Sequence, residues 1–163
     1  EDPDQPPSTD SAAAGRVEIR VEGEEYLWVE GVLTALSRFG QLILSRLGHS
    51  SAELSVLLCD DDVIRDLNYR YRGMDVPTDV LSFEQSGPLL GDVVISLETA
   101  CRQACVSGIS QADELRGLLL HGILHLLGRD HGDGELADET MLQEQKRLLE
   151  LFEKDSAMGE AFA

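Results

Sequence analysis

The stretch His121-Gly122-Ile123-Leu124-His125-Leu126-Leu127-Gly128-Arg129-Asp130-His131 carries three of the chain's four histidines. His121 and His125 are one helical turn apart, so on a helix their imidazoles share a face. Leu118 to Leu127 is apolar enough to read as a largely buried helix, where an unpartnered imidazole is costly. Gly128 follows where a left-handed turn would end that helix, and such a turn folds the chain back. His131 would thereby be brought toward the first two rings. Three neutral imidazoles converging on one point form a ligand set for a zinc-like divalent ion with the fourth position open. A lone HxxxH pair is more often two ordinary core histidines. The glycine break and the third histidine favour the metal.

Working outward, Ser110 and Asp113 form a start resembling a capping box for the histidine helix. The spacing HxxxHxxGxxH matches that of metzincin peptidases, in which a glutamate general base follows the first histidine. Here that position is Gly122. The expected metal therefore suits chemistry that needs charge neutralisation, with any base supplied from elsewhere.

At 163 residues, the chain is long enough for one domain with a sizeable core. Its formal charge of −18 argues against broad non-specific attraction to nucleic acid, which Lys and Arg drive. An RNA partner would need a local cationic patch, the metal or another protein. Cys59, Cys101 and Cys105 form no ribbon or CxxC pattern, and an odd count fits a reducing compartment. Cys101 and Cys105, one turn apart, are expected to be small buried residues. No apolar run reaches the length of a membrane span. The expected location is cytoplasmic, or organellar if a start at Glu1 reflects processing.

Residues 1–15, with three prolines, acids and an alanine run, are expected to be a disordered tail, native or appended. One domain is expected over 16–155, with a flexible tail at 156–163. Val17, Ile19 and Val21 alternate as a first strand. Trp28 to Leu47 carries the apolar stripe of a long helix that Gly31 and Gly40 could bend or divide. Leu54, Val56 and Leu58 mark a second strand, and Asp60-Asp61-Asp62 then reads as a helix cap and first turn. The strand Asp79 to Phe83 and the strand Val93-Val94-Ile95 could pair as a hairpin around Ser86-Gly87-Pro88. A short helix over Glu98 to Val106, the histidine helix, and a helix from Glu135 to Lys154 complete the order. In the last, Met141, Leu148, Leu149 and Phe152 are expected to face inward. This order predicts an α+β fold, a small mixed β-sheet of about four strands packed with helices.

A second segment matters: Leu67-Asn68-Tyr69-Arg70-Tyr71-Arg72-Gly73-Met74-Asp75-Val76-Pro77-Thr78-Asp79-Val80-Leu81-Ser82-Phe83. Arg65, Arg70 and Arg72 could form a cationic cluster with interleaved tyrosines, arginine forking onto phosphate and tyrosine stacking on a base. A solvated helix end serves equally for Arg65 and Arg70.

Together the two segments resemble a family. HGILHLLGRDH resembles the HGxLHLxGxDH signature of the YbeY family of metal-dependent endoribonucleases, LNYRYRGMDVPTDVLSF looks like its upstream motif, and GDVVIS like its following strand. The likeness spans about residues 54 to 152. It implies a zincin-like metal helix, one Zn2+ or another divalent ion on His121, His125 and His131, and a functional arginine at Arg72. It also implies cleavage of single-stranded ribosomal RNA, in 16S-type 3′-end maturation and ribosome quality control, with the small ribosomal subunit or its proteins as partners and no membrane. Arg70, Tyr71 and Asp79 are expected substrate contacts. Asp130 could orient a ligating imidazole or cap the turn. Arg129 departs from the family, which often has an aromatic residue there. Both a 2′-hydroxyl and a metal-bound water fit as the attacking group. Two other readings compete: a non-catalytic assembly factor with a structural metal, and an atypical zinc peptidase using Asp130 or Asp79 as base.

Overall fold

A computed structural model describes residues 15–22, 30–128 and 135–154. Its elements follow the expected order: β1 (Val17–Val21), α1 (Glu30–Arg46), β2 (Glu53–Cys59), α2 (Asp61–Arg72), β3 (Val80–Glu84), β4 (Leu89–Ser96), α3 (Leu97–Ser107), α4 (Gln111–Leu126) and α5 (Glu135–Lys154). The strands form one mixed sheet in the order β1-β2-β4-β3. β1 and β4 both run parallel to β2, placing Val56 between Ile19 and Val93, and β3 returns antiparallel to β4. The fold is therefore α+β, a small mixed sheet packed with helices.

Period-two alternation divides the strands between two apolar layers. Leu54, Val56, Leu58, Val93 and Ile95 point into the main core with α1, α4 and α5. Cys59, Leu81 and Val94 point to the other face, where Ile64 of α2 covers them. Helix α4 is the centre of the main core and buries Leu115, Leu118, Leu119, Leu120, Ile123 and Leu124. From α5, Met141, Leu148 and Phe152 are buried against that core, while Leu149 is partly buried.

Helix α1 runs unbroken through Gly31 and Gly40. Asp60 caps α2 as expected, accepting from the Val63 N–H at 2.9 Å. The next residue does more than decorate a first turn. Asp61 accepts from Ser96 Oγ at 2.7 Å, Thr99 Oγ1 at 2.6 Å and Arg102 at 2.8 Å, tying the start of α2 to the start of α3. The buried expectation for two cysteines is overturned. Cys101 and Cys105 are exposed, because the core-facing stripe of α3 is Leu97, Ala100 and Ala104. Cys59 is buried, and burial, then the charges of Asp60, Glu22 and Asp61, push its thiol up to about 12.

The contact that sets α4 on the sheet lies at Gly122. A Cβ there would come 2.6 Å from Val93 Cγ1, inside van der Waals contact. Ser82 Oγ also donates to the Gly122 carbonyl at 3.1 Å, pinning helix to strand. No described helix is long and apolar enough to cross a membrane. Of the tails expected at 1–15 and 156–163, all but Gly15 lies outside the described residues, and the Gly15 N–H donates to the Ser50 carbonyl at 2.6 Å.

Two outcomes follow from this packing. Gly122→Ala should destabilise the fold by about 1–3 kcal/mol through overpacking, read from urea unfolding midpoints. Asp61→Ala should cost about 1–3 kcal/mol at neutral pH for its lost charge-assisted hydrogen bonds. Burial acts to raise the Asp61 pKa, but hydrogen bonds from Ser96, Thr99 and Arg102 outweigh it and hold the group below its ordinary 3.8. The stabilisation is thus fully present above 3.8 and is lost as pH falls through the lower folded value. The stability gap between wild type and Asp61→Ala should accordingly narrow on acidification.

Candidate metal centre and cleft

Ser110 caps α4 by accepting from the Asp113 N–H at 3.1 Å, while the Asp113 carboxylate turns to Arg116. Sixteen residues of helix then carry His121 and His125 to its far end on one face. There Gly128 adopts φ 69°, the left-handed conformation expected of it, and its N–H returns to the His125 carbonyl at 3.0 Å. His131, Asp130 and Arg129 lie outside the described residues.

The two imidazoles meet, with Nε2 of His125 3.1 Å from Nε2 of His121 and ring centroids 4.6 Å apart. On its other side, His121 Nδ1 faces Gln145 Oε1 of α5 at 3.1 Å. An amide oxygen only accepts, so that contact calls for Nδ1–H and leaves the His121 Nε2 lone pair toward His125. Metal–nitrogen bonds of about 2.0–2.1 Å at a tetrahedral angle set two ligating nitrogens about 3.3 Å apart. The observed separation and the Nε2 orientation both fit a shared ion, and Gln145 holds the His121 ring as an outer partner of a ligating histidine would.

The pair opens on a cleft of about 490 Å³ whose lining includes Arg72, Asp79, Ser82, Glu84, His121 and His125. Arg72 arrives on the last turn of α2, which stops at Gly73. The buried Asn68 side chain donates to the Val76 carbonyl at 2.9 Å and secures the loop leading to Asp79. Asp79 Oδ1 in turn accepts from the Val80 N–H at 2.8 Å. The remaining arginines do not join Arg72 in one cluster. Arg65 pairs with Asp75 at 2.9 Å and Arg70 with Asp66 at 3.1 Å, and neither lines the cleft. Tyr71 packs on Phe83 with centroids 5.0 Å apart and lines an adjoining hollow that shares Ser82 and Glu84 with the cleft.

The structure therefore brings together Arg72, Asp79, His121 and His125, sets Tyr71 beside them and leaves Arg70 aside. Sequence reading missed Gln145, Ser82 and Asn68. The first two act across 24 and 40 positions of chain, and no local pattern marks such partners. Asn68 stood inside a segment already singled out, and an amide on the inner face of an amphipathic helix was its one available signal.

Comparison with known proteins completes the picture. A family model described as endoribonuclease YbeY matches residues 22–153. The chain is 47% identical over 121 residues to an endoribonuclease YbeY of Aquifex aeolicus, covering 71% of this chain and 76% of that one. It is 48% identical over 109 residues to a chloroplastic endoribonuclease YBEY of Arabidopsis thaliana, covering 63% of this chain but only 19% of that longer protein. Among solved structures, the solution structure of TM1509 from Thermotoga maritima superposes with a TM-score of 0.56 at 25% identity, covering 90% of this chain and 89% of that one. The family model and the relatives agree, and the chain belongs to the YbeY family.

Proposed function

We propose that the protein is a metal-dependent endoribonuclease that cuts single-stranded ribosomal RNA, acting in 16S-type 3′-end maturation and ribosome quality control. The observation that carries this reading is the meeting in one cleft of Arg72 with two imidazoles whose Nε2 atoms stand 3.1 Å apart. The relatives' name, endoribonuclease, supports it.

We assign one Zn2+ per chain, or another divalent ion of similar preference, to His121, His125 and His131. When bound, the ion supplies a fixed positive charge that polarises a phosphoryl oxygen. The chain's own groups do the rest. Gln145 fixes the His121 ring, and the buried leucines of α4 exclude water behind it. Arg72 forks onto the phosphate and offsets the negative charge that grows in the transition state. Tyr71 offers a face to a neighbouring base. Asp79 contacts the sugar–phosphate chain, Arg70 meets the strand only at its margin, and Asp130 steadies a ligating imidazole. Ribosomal RNA within the small subunit, or proteins bound to it, is the expected partner. The setting is the cytoplasm, or an organelle for a processed form, as the chloroplastic relative's name suggests.

The relatives' name does not favour the peptidase alternative, in which Asp130 or Asp79 would serve as base. A glutamate at position 122 would collide with Val93, so the helix face that holds a general base in metzincins is closed here.

Arg72→Glu should lower cleavage of a single-stranded ribosomal RNA fragment by about 100-fold or more while leaving bound metal unchanged. Retained cleavage by a nuclease-free preparation of that variant overturns the assignment. Chelation should abolish cleavage and lower Tm, and zinc should restore both. A chelator that lowers Tm of a protein inert toward RNA would instead support the assembly-factor reading.

A further inference from the structure

The geometry points to Asp79 as the residue that reads the ribose: its carboxylate accepts the 2′-hydroxyl of a nucleotide held in the cleft, and Gln103 and Glu114 position it to do so. This rests on the ribonuclease reading and adds how the site tells RNA from DNA.

Asp79 lines the cleft alongside Arg72 and both histidines. Its Oδ1 accepts from the Val80 N–H at 2.8 Å and from Thr78 Oγ1 at 3.4 Å. The end of the Gln103 amide that lies 3.3 Å from Asp79 Oδ2 and 2.8 Å from Glu114 Oε1 has only acceptors before it, so its nitrogen is assigned there as the donor to both carboxylates. A carboxylate offers about four acceptor positions, so these three donors leave one on Oδ2. The group that fills it must donate. A phosphate cannot, and would be repelled. Along the sugar–phosphate chain of RNA the donor is the 2′-hydroxyl, which sits beside the phosphate that Arg72 would grip.

Two residues that do not line the cleft keep that acceptor in place. Gln103 comes from α3 and Glu114 from the first turn of α4. The Gln103 nitrogen is held between two acceptors, so turning the amide over would set its oxygen against both carboxylates. Burial, and then the charge of Asp79, raise the Glu114 pKa, as two acids crowded around one amide should. Asp79 is thus fixed from both oxygens before any ligand arrives. A preorganised acceptor of this kind penalises a 2′-deoxy strand, because binding it leaves the carboxylate desolvated and short of a donor.

The test is competition. Cleavage of a labelled RNA by the metal-loaded full chain is inhibited with unlabelled oligouridylate or oligodeoxyuridylate, and the ratio of the two inhibition constants is read. Wild type should prefer the ribo strand by on the order of tenfold. Asp79→Ala and Gln103→Leu should bring the ratio toward unity, whatever the loss of a negative charge does to both strands alike. A structural lesion moves both constants together and leaves the ratio alone. Should Asp79→Ala fail to fold by its melting curve, Gln103→Leu decides. A wild-type ratio near unity, or a full ratio in the folded variants, overturns the role of Asp79 while the ribonuclease reading stands. Wild type that cleaves no RNA overturns that reading and this role together.

Discussion

The approach of α4 to the sheet at Gly122 sets the geometry of everything at the cleft. With no side chain on that residue, Val93 and Ser82 press against the helix backbone, and the Ser82 hydroxyl bonds the Gly122 carbonyl. The residues on either side of this point of contact along the helix, His121 and His125, cannot then slide or rotate relative to β3. Because β3 begins directly after Asp79, and α2 reaches the same rim with Arg72, one close contact fixes the relative placement of four side chains that line the cleft. Rigid elements hold such groups more closely than loops would.

Acidity shapes how this cleft must work. A net charge of −18 repels polyanions at long range, and the two arginines nearest Arg72 on α2 are matched by Asp75 and Asp66. The surface around the cleft therefore does little to steer RNA toward it through a diffuse positive field. Affinity has to come from contacts made at close quarters, which favours selectivity over indiscriminate binding.

Much of the fold was legible in the chain because its local signals agree with its burial. Alternation in Val17–Val21 and Leu54–Leu58, the cap at Ser110 and the turn at Gly128 each hold in three dimensions. Signals failed where a pattern admitted two environments. Cys101 and Cys105 have the spacing of a core stripe, yet the neighbouring stripe through Ala100 and Ala104 won the inward position. Arg70 fits a phosphate ligand or a solvated helix end equally well in the sequence, and in the fold it pairs with Asp66, one turn earlier. The sheet order, the Asp61 hub and the Gln145 contact join distant parts of the chain, and periodicity is blind to them.

The dependence of His121 on Gln145 also bears on the order of events during synthesis. The imidazole belongs to α4, but the oxygen that sets its tautomer arrives on α5, 24 residues later. A nascent chain can wind α4 before that oxygen is available to the ring. Once α5 has emerged and packed, the Gln145 oxygen favours the proton on Nδ1 and turns the Nε2 lone pair toward the cleft, so the ring's final state depends on α5 joining α4.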